Sequence, residues 1–151
     1  MEILETRAAQ QPPVAHRSKS MAALAAAVLG GFGAHWWYLG RRGAWAVTTA
    51  SCLLIVLAQL YPVWWDSPPF LLLIIPITAG FIESLVISLK SDAWFDARYN
   101  PGSTQATATG WGPVIIAIAV TAIGSAVVLF GIALTVMHVY TALGWLDGYV
   151  R

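Results

Sequence analysis

The placement of charge constrains this chain before any other feature. No Asp, Glu, Lys or Arg lies between Lys19 and Arg41, only Asp66 lies between Arg42 and Glu83, and none lies between Arg98 and Asp147. Each gap can hold a membrane-spanning helix of about 20 residues. Of the 151 residues, 58% are hydrophobic and 10% charged, whereas a soluble domain carries about 25% charged residues. A chain of this size cannot cover its surface with so few charges, so a bilayer is the expected solvent. The net charge of +1 brings no basic patch for nucleic acid. The single cysteine, Cys52, excludes an internal disulfide.

The fold class read from this pattern is all-α: a polytopic membrane helical bundle of four apolar helical segments. Residues 1–18 are polar and contain Pro12 and Pro13, so they offer too little apolar surface to offset ordering entropy, and a disordered tail is expected. A membrane domain is expected over 19–100, with helical segments at about 20–39, 43–61 and 70–89. Most of the remaining polarity falls in a loop from Lys90 to Gly110, its last part (101–110) separating that domain from a further transmembrane helix and short tail over 111–151. Pro62 closes the second segment and Pro68–Pro69 open the third, where a missing N–H forfeits no helical bond. Pro76 predicts a kink within the third. All eight tryptophans fall near segment ends, where indoles favour the headgroup layer.

The first segment is built from small residues. Ala23, Ala27 and Gly31, and likewise Ala26, Gly30 and Ala34, recur four apart, a pattern that lets a helix backbone approach a neighbour closely in lipid. A cleaved signal peptide matches poorly, because the apolar stretch runs into His35, Trp36, Trp37 and Tyr38 rather than a polar cleavage region. In the fourth segment Ala117, Thr121, Gly124, Val128, Gly131, Thr135, His138 and Ala142 share one face by their alternating four and three spacing. Helix packing is expected along that face, centred on Gly124, Gly131, Thr135 and His138, with hydroxyls bonded locally to backbone. The opposite surface, with Ile115, Ile118, Val127, Leu129 and Leu134, suits lipid.

Orientation rests on the basic residues, which favour the cytoplasmic side. With four spans, Arg7, Arg17, Lys19 and Arg151 face Arg41, Arg42, Lys90 and Arg98 across the membrane, a tie. If the first segment is instead re-entrant, dipping in and returning at its glycines, seven basic residues share a side and only Arg151 opposes them.

The run Gly30-Gly31-Phe32-Gly33-Ala34-His35-Trp36-Trp37-Tyr38-Leu39-Gly40, preceded by Lys19 and an alanine-rich helix, resembles the linker of the TM2 domain family. Nine of the eleven positions agree, and Trp36-Trp37 replaces the family's Arg-Phe pair. The stretch from Asp96 to Ser103, containing Asn100, is similar to the tail that follows the membrane helices in bacterial members. The resemblance covers about 19–100 and implies a compact membrane domain of two helices joined by a short linker, with no established activity. It favours a spanning first segment, against the charge count.

Glu83 stands out because it lies seven residues before Lys90 within an apolar helix, about 10 Å inside the helix end. An ionisable group at that depth is costly and faces protein or water. Pairing with Arg41, Arg42 or His35 is expected, or a neutral, proton-relaying carboxyl. His35 reads as an interfacial histidine fixing the turn or as a proton carrier. Arg41 and Arg42 read as orientation signals or lipid-phosphate ligands. His138 is expected to pack, a ligand role being disfavoured for want of a carboxylate neighbour. No catalytic triad, nucleotide loop or metal-ligand pair can be assembled, so neither an enzyme nor a cofactor is expected. The reading is a multi-pass protein of the inner or plasma membrane, a structural or regulatory component whose partners are lipid and a second copy or other membrane proteins. The alternative is a small proton, ion or lipid translocator using Glu83 with His35.

Overall fold

The computed structural model describes residues 15–147, so the expected disordered tail falls outside them up to residue 14, as do residues 148–151. Every regular element among the described residues is helical. The chain forms α1 (Lys19–Leu29), a 3₁₀ turn (Gly30–Phe32), α2 (Ala34–Leu39), α3 (Ala44–Ala58) and a second 3₁₀ turn (Trp64–Asp66). It continues through α4 (Pro68–Leu71), α5 (Ile74–Leu89), α6 (Asp92–Tyr99), α7 (Gly112–Ala119), a π turn (Val120–Gly124) and α8 (Ser125–Ala142).

Two rods are long and apolar enough to cross a membrane: Pro68–Leu89, 22 residues through α4 and α5, and Gly112–Ala142, 31 residues through α7 and α8. They run antiparallel. Phe81 lies against Gly124, Ile74 against Gly131, and Asp66, just before α4, meets His138 near the end of α8.

The first apolar segment is not one helix over about 20–39, and that expectation is corrected. α1 runs down α5, and the chain then turns through Gly33, whose φ of +71° is a left-handed value open to glycine. α2 climbs back toward the start of α1. There the Ser18 N–H donates to the Tyr38 hydroxyl at 2.7 Å, and Leu39 joins Ala22, Ala26, Ile87 and Phe95 in the buried core. The segment is therefore a helical hairpin whose two ends lie together.

Such a turn frees carbonyls that a continuous helix would use, and buried backbone must find other partners. α3 supplies them. Ser51 Oγ donates to the Gly31 carbonyl, and Thr48 Oγ1 donates to the Phe32 carbonyl at 2.7 Å.

The contact between α1 and α5 is close because both faces are small. A Cβ built on Gly30 would lie 2.5 Å from Gly80 Cα, so the two backbones touch. Ala22, Ala23 and Ala26 continue this face on α1, and Gly80, Ser84 and Ser88 mirror it on α5. Ser84 Oγ donates to the Ala23 carbonyl at 2.8 Å, the type of hydroxyl-to-backbone bond that holds helices together in lipid.

Three further expectations need correction, and Pro76 acts one turn ahead of its ring: regular helical bonding is interrupted at Leu72–Leu73, between α4 and α5. The reason is geometric: the proline ring would clash with the carbonyl four residues earlier, that of Leu72, and this carbonyl instead accepts the Ile75 N–H at 3.2 Å. The stretch Lys90–Gly110 is not all loop, since α6 forms within it, capped by Ser91 Oγ on the Trp94 N–H. The end of the tail is bonded: Arg17 N–H donates to Asn100 Oδ1 at 2.8 Å, and His16 meets Ser103 and Thr107. On the fourth helix, Ala117 and Gly124 are buried and Val128, Gly131, Thr135 and His138 half-buried, but Thr121 and Ala142 are exposed. Leu134, expected toward lipid, is half-buried beside Phe70 and Ile74. Thr121 and Thr135 donate to the carbonyls of Ala117 and Gly131 within their own helix.

Candidate functional site

The polar centre of the molecule is Glu83, on the face of α5 that meets the returning α2. Three donors converge on one of its oxygens, Oε2. His35 Nε2 lies at 2.7 Å, Trp36 Nε1 at 2.9 Å and an Arg41 guanidinium nitrogen at 2.7 Å. The Glu83 side chain is 28% exposed, so the carboxylate sits at a partly dry boundary where charge-assisted bonds are strong. The Arg41 guanidinium carbon also lies 4.2 Å from the Trp36 ring centroid, a cation–π distance.

The geometry follows from the hairpin. His35 and Trp36 occupy the first turn of α2, immediately after the left-handed Gly33, and Arg41 follows the second left-handed position, Gly40. His35 is 2% exposed. Its Nε2 faces Glu83 Oε2, while Nδ1 is buried with no hydrogen-bond partner among the described residues.

The structure thus brings together His35, Arg41 and Glu83 and leaves Arg42 out of the cluster. Trp36 is the participant that sequence reasoning missed, having been read only as a belt residue. Phe32 lies on the hairpin turn with Gly30, Gly31 and Gly33, and Ala34 opens α2.

A second polar clamp lies at the end of the bundle where α1 begins. Lys19 is buried, donates to the Lys90 carbonyl at the end of α5, and pairs with Asp92 at 3.0 Å. Beside it, Asp96 accepts from the Thr107 hydroxyl, from Asn100 Nδ2 at 2.8 Å and from the Thr107 N–H at 2.7 Å. Those bonds hold its carboxyl down to about 2 from an ordinary 3.8. Asp92 Oδ2 accepts the Thr109 N–H at 2.7 Å. Two carboxylates four apart on α6 thereby strap the 101–110 stretch across the top.

At the opposite end, His138 Nδ1 lies 3.0 Å from Asp66 Oδ1. The expectation that His138 lacks a carboxylate neighbour is corrected: Asp66 is 72 residues away in sequence and adjacent in space. No group of three or more His, Cys, Asp or Glu converges as a metal site among the described residues.

Comparison with family models, curated proteins and solved structures found no match.

Proposed function

We propose that the chain is a multi-pass protein of the cell membrane, of the TM2 type, acting as a non-enzymatic structural or regulatory component. The observation that carries this reading is the occupancy of Glu83. Its Oε2 accepts from an imidazole, an indole and a guanidinium, which ties the linker between α2 and α3 to α5 and leaves the carboxylate charge balanced by Arg41. Such a group resembles a staple between elements more than a carrier that must gain and release ions.

The topology that goes with it is a re-entrant first segment followed by three crossings, through α3, α4–α5 and α7–α8. Two observations support it. Residues 17–18 lie beside Tyr38 and Gly40, so the hairpin leaves where it enters. All the Lys and Arg among the described residues, Arg17, Lys19, Arg41, Arg42, Lys90 and Arg98, lie toward that same end, the cytoplasmic one by the positive-inside tendency.

A second reading, a proton, ion or lipid translocator, is favoured by one observation, the buried and unpartnered Nδ1 of His35 next to Glu83. Reconstitution into liposomes with a pH- or ion-sensitive dye separates the two. The structural reading expects no flux from the wild type and a lower unfolding midpoint in Glu83→Gln. Flux that disappears in a stable Glu83→Gln protein would replace it with the translocator.

A further inference from the structure

We propose that the recess between α2 and α3 binds the headgroup of an anionic phospholipid through Arg41 and Arg42. The recess has a volume of about 400 Å³ and is lined by Trp36, Trp37, Arg41, Arg42 and Trp45 among others. This inference rests on the membrane reading above and adds a ligand to it.

Charge is the first part of the case. Arg42 is exposed and makes no hydrogen bond or ion pair with the described residues. Arg41 gives one guanidinium nitrogen to Glu83 and lays its plane over Trp36, so its orientation is fixed while its other N–H groups have no protein acceptor among the described residues. Glu83 and Arg41 cancel, which leaves a net positive recess: Arg42 on its rim, and the Arg17 guanidinium behind Gly40, where it donates to the Tyr99 carbonyl. A guanidinium presents a planar fork of donors that matches phosphate oxygens bidentately.

Depth is the second part. α3 has 15 residues, about 22 Å by its rise, against a hydrocarbon thickness of about 30 Å. A short crossing is accommodated by thinning of the bilayer around it. The headgroups are thereby drawn to the residues that open α3, Arg41, Arg42 and Trp45. Trp37 and Trp45 are exposed on the rim of the recess, as indoles are where acyl chains meet headgroups.

Native mass spectrometry of the full chain in detergent, titrated with phosphatidylglycerol and with phosphatidylcholine of the same acyl chains, tests the proposal. The wild type is expected to retain phosphatidylglycerol about fivefold better, the effect of one basic residue at an anionic surface. Arg42→Gln, which breaks no hydrogen bond or ion pair within the described residues, should erase that preference, while Arg98→Gln should keep it. Equal retention of the two lipids, an unchanged Arg42→Gln protein, or equal loss in Arg98→Gln would overturn the site. Displacement of phosphatidylglycerol by millimolar inorganic phosphate would reassign it to a free anion and overturn the lipid. Alkaline extraction from vesicles keeps the two readings separable: release of the wild type overturns the membrane reading and the site together, whereas retained protein without lipid preference overturns the site alone.

Discussion

Single residues set the chemistry of this molecule where their partners are far apart in sequence. Glu83 was legible as an outlier, because an acidic residue deep in an apolar helix demands an explanation. Its full partner set was not, since nothing in sequence places Trp36 Nε1 at 2.9 Å from Oε2. Removing the charge leaves three donors around a weaker acceptor, so Glu83→Gln is expected to lower stability by about 1–3 kcal/mol, read as a lower unfolding midpoint in detergent. Asp96 offers a pH test at the same scale. Its folded carboxyl is depressed to about 2 from 3.8, so its stabilising contribution is complete above the unfolded value and fades as pH falls from there through the folded one. Exchange of the Thr107 amide, expressed relative to its intrinsic rate at the same pH, should therefore be slow and flat across neutral and mildly acidic pH and should quicken only in that acid window. Asp96→Asn should quicken it even at neutral pH, and unchanged exchange in this variant would contradict the strap.

Among the elements, the hairpin α1–α2 departs most from simple periodicity. An apolar run rich in alanine reads as one helix, and the glycines that allow a turn also suit close packing. What decides between these is α3, whose Thr48 and Ser51 accept the task of satisfying the Phe32 and Gly31 carbonyls. The small face of α1 was visible as ladders of residues four apart, and the matching ladder on α5, Gly80, Ser84 and Ser88, carried the same signal. Backbone contact between Gly30 and Gly80 leaves no room for a methyl group, with a Cβ on Gly80 falling 2.6 Å from Gly30 Cα. Gly80→Ala is accordingly expected to cost about 1–3 kcal/mol through overpacking, measured by thermal unfolding in detergent, while Ala79→Gly, its neighbour, serves as a control for helix propensity. α6 also had a signal: Ser91 as a cap, Asp92 in the first turn, and Phe95 and Tyr99 four apart with Arg98 near the end. The general polarity of the stretch outweighed it.

For the whole molecule, the testable property is which ends share a side. In a Cys52→Ser background, Arg42→Cys and Thr104→Cys should label from one side of sealed vesicles and Asp147→Cys from the other. Labelling of Arg42→Cys together with Asp147→Cys would require another topology. From the sequence alone follow the helical class, the scarcity of charge, the four apolar segments and the singular position of Glu83. These are all consequences of composition and local spacing. Only the tertiary structure decided that the first segment folds back on itself and that His138 meets Asp66. It alone decided that Trp36 and Arg41, but not Arg42, close on Glu83. Each of these depends on where an orphaned carbonyl, a buried charge or a backbone without side chains finds its partner on another helix, and a one-dimensional pattern does not encode that partner's position.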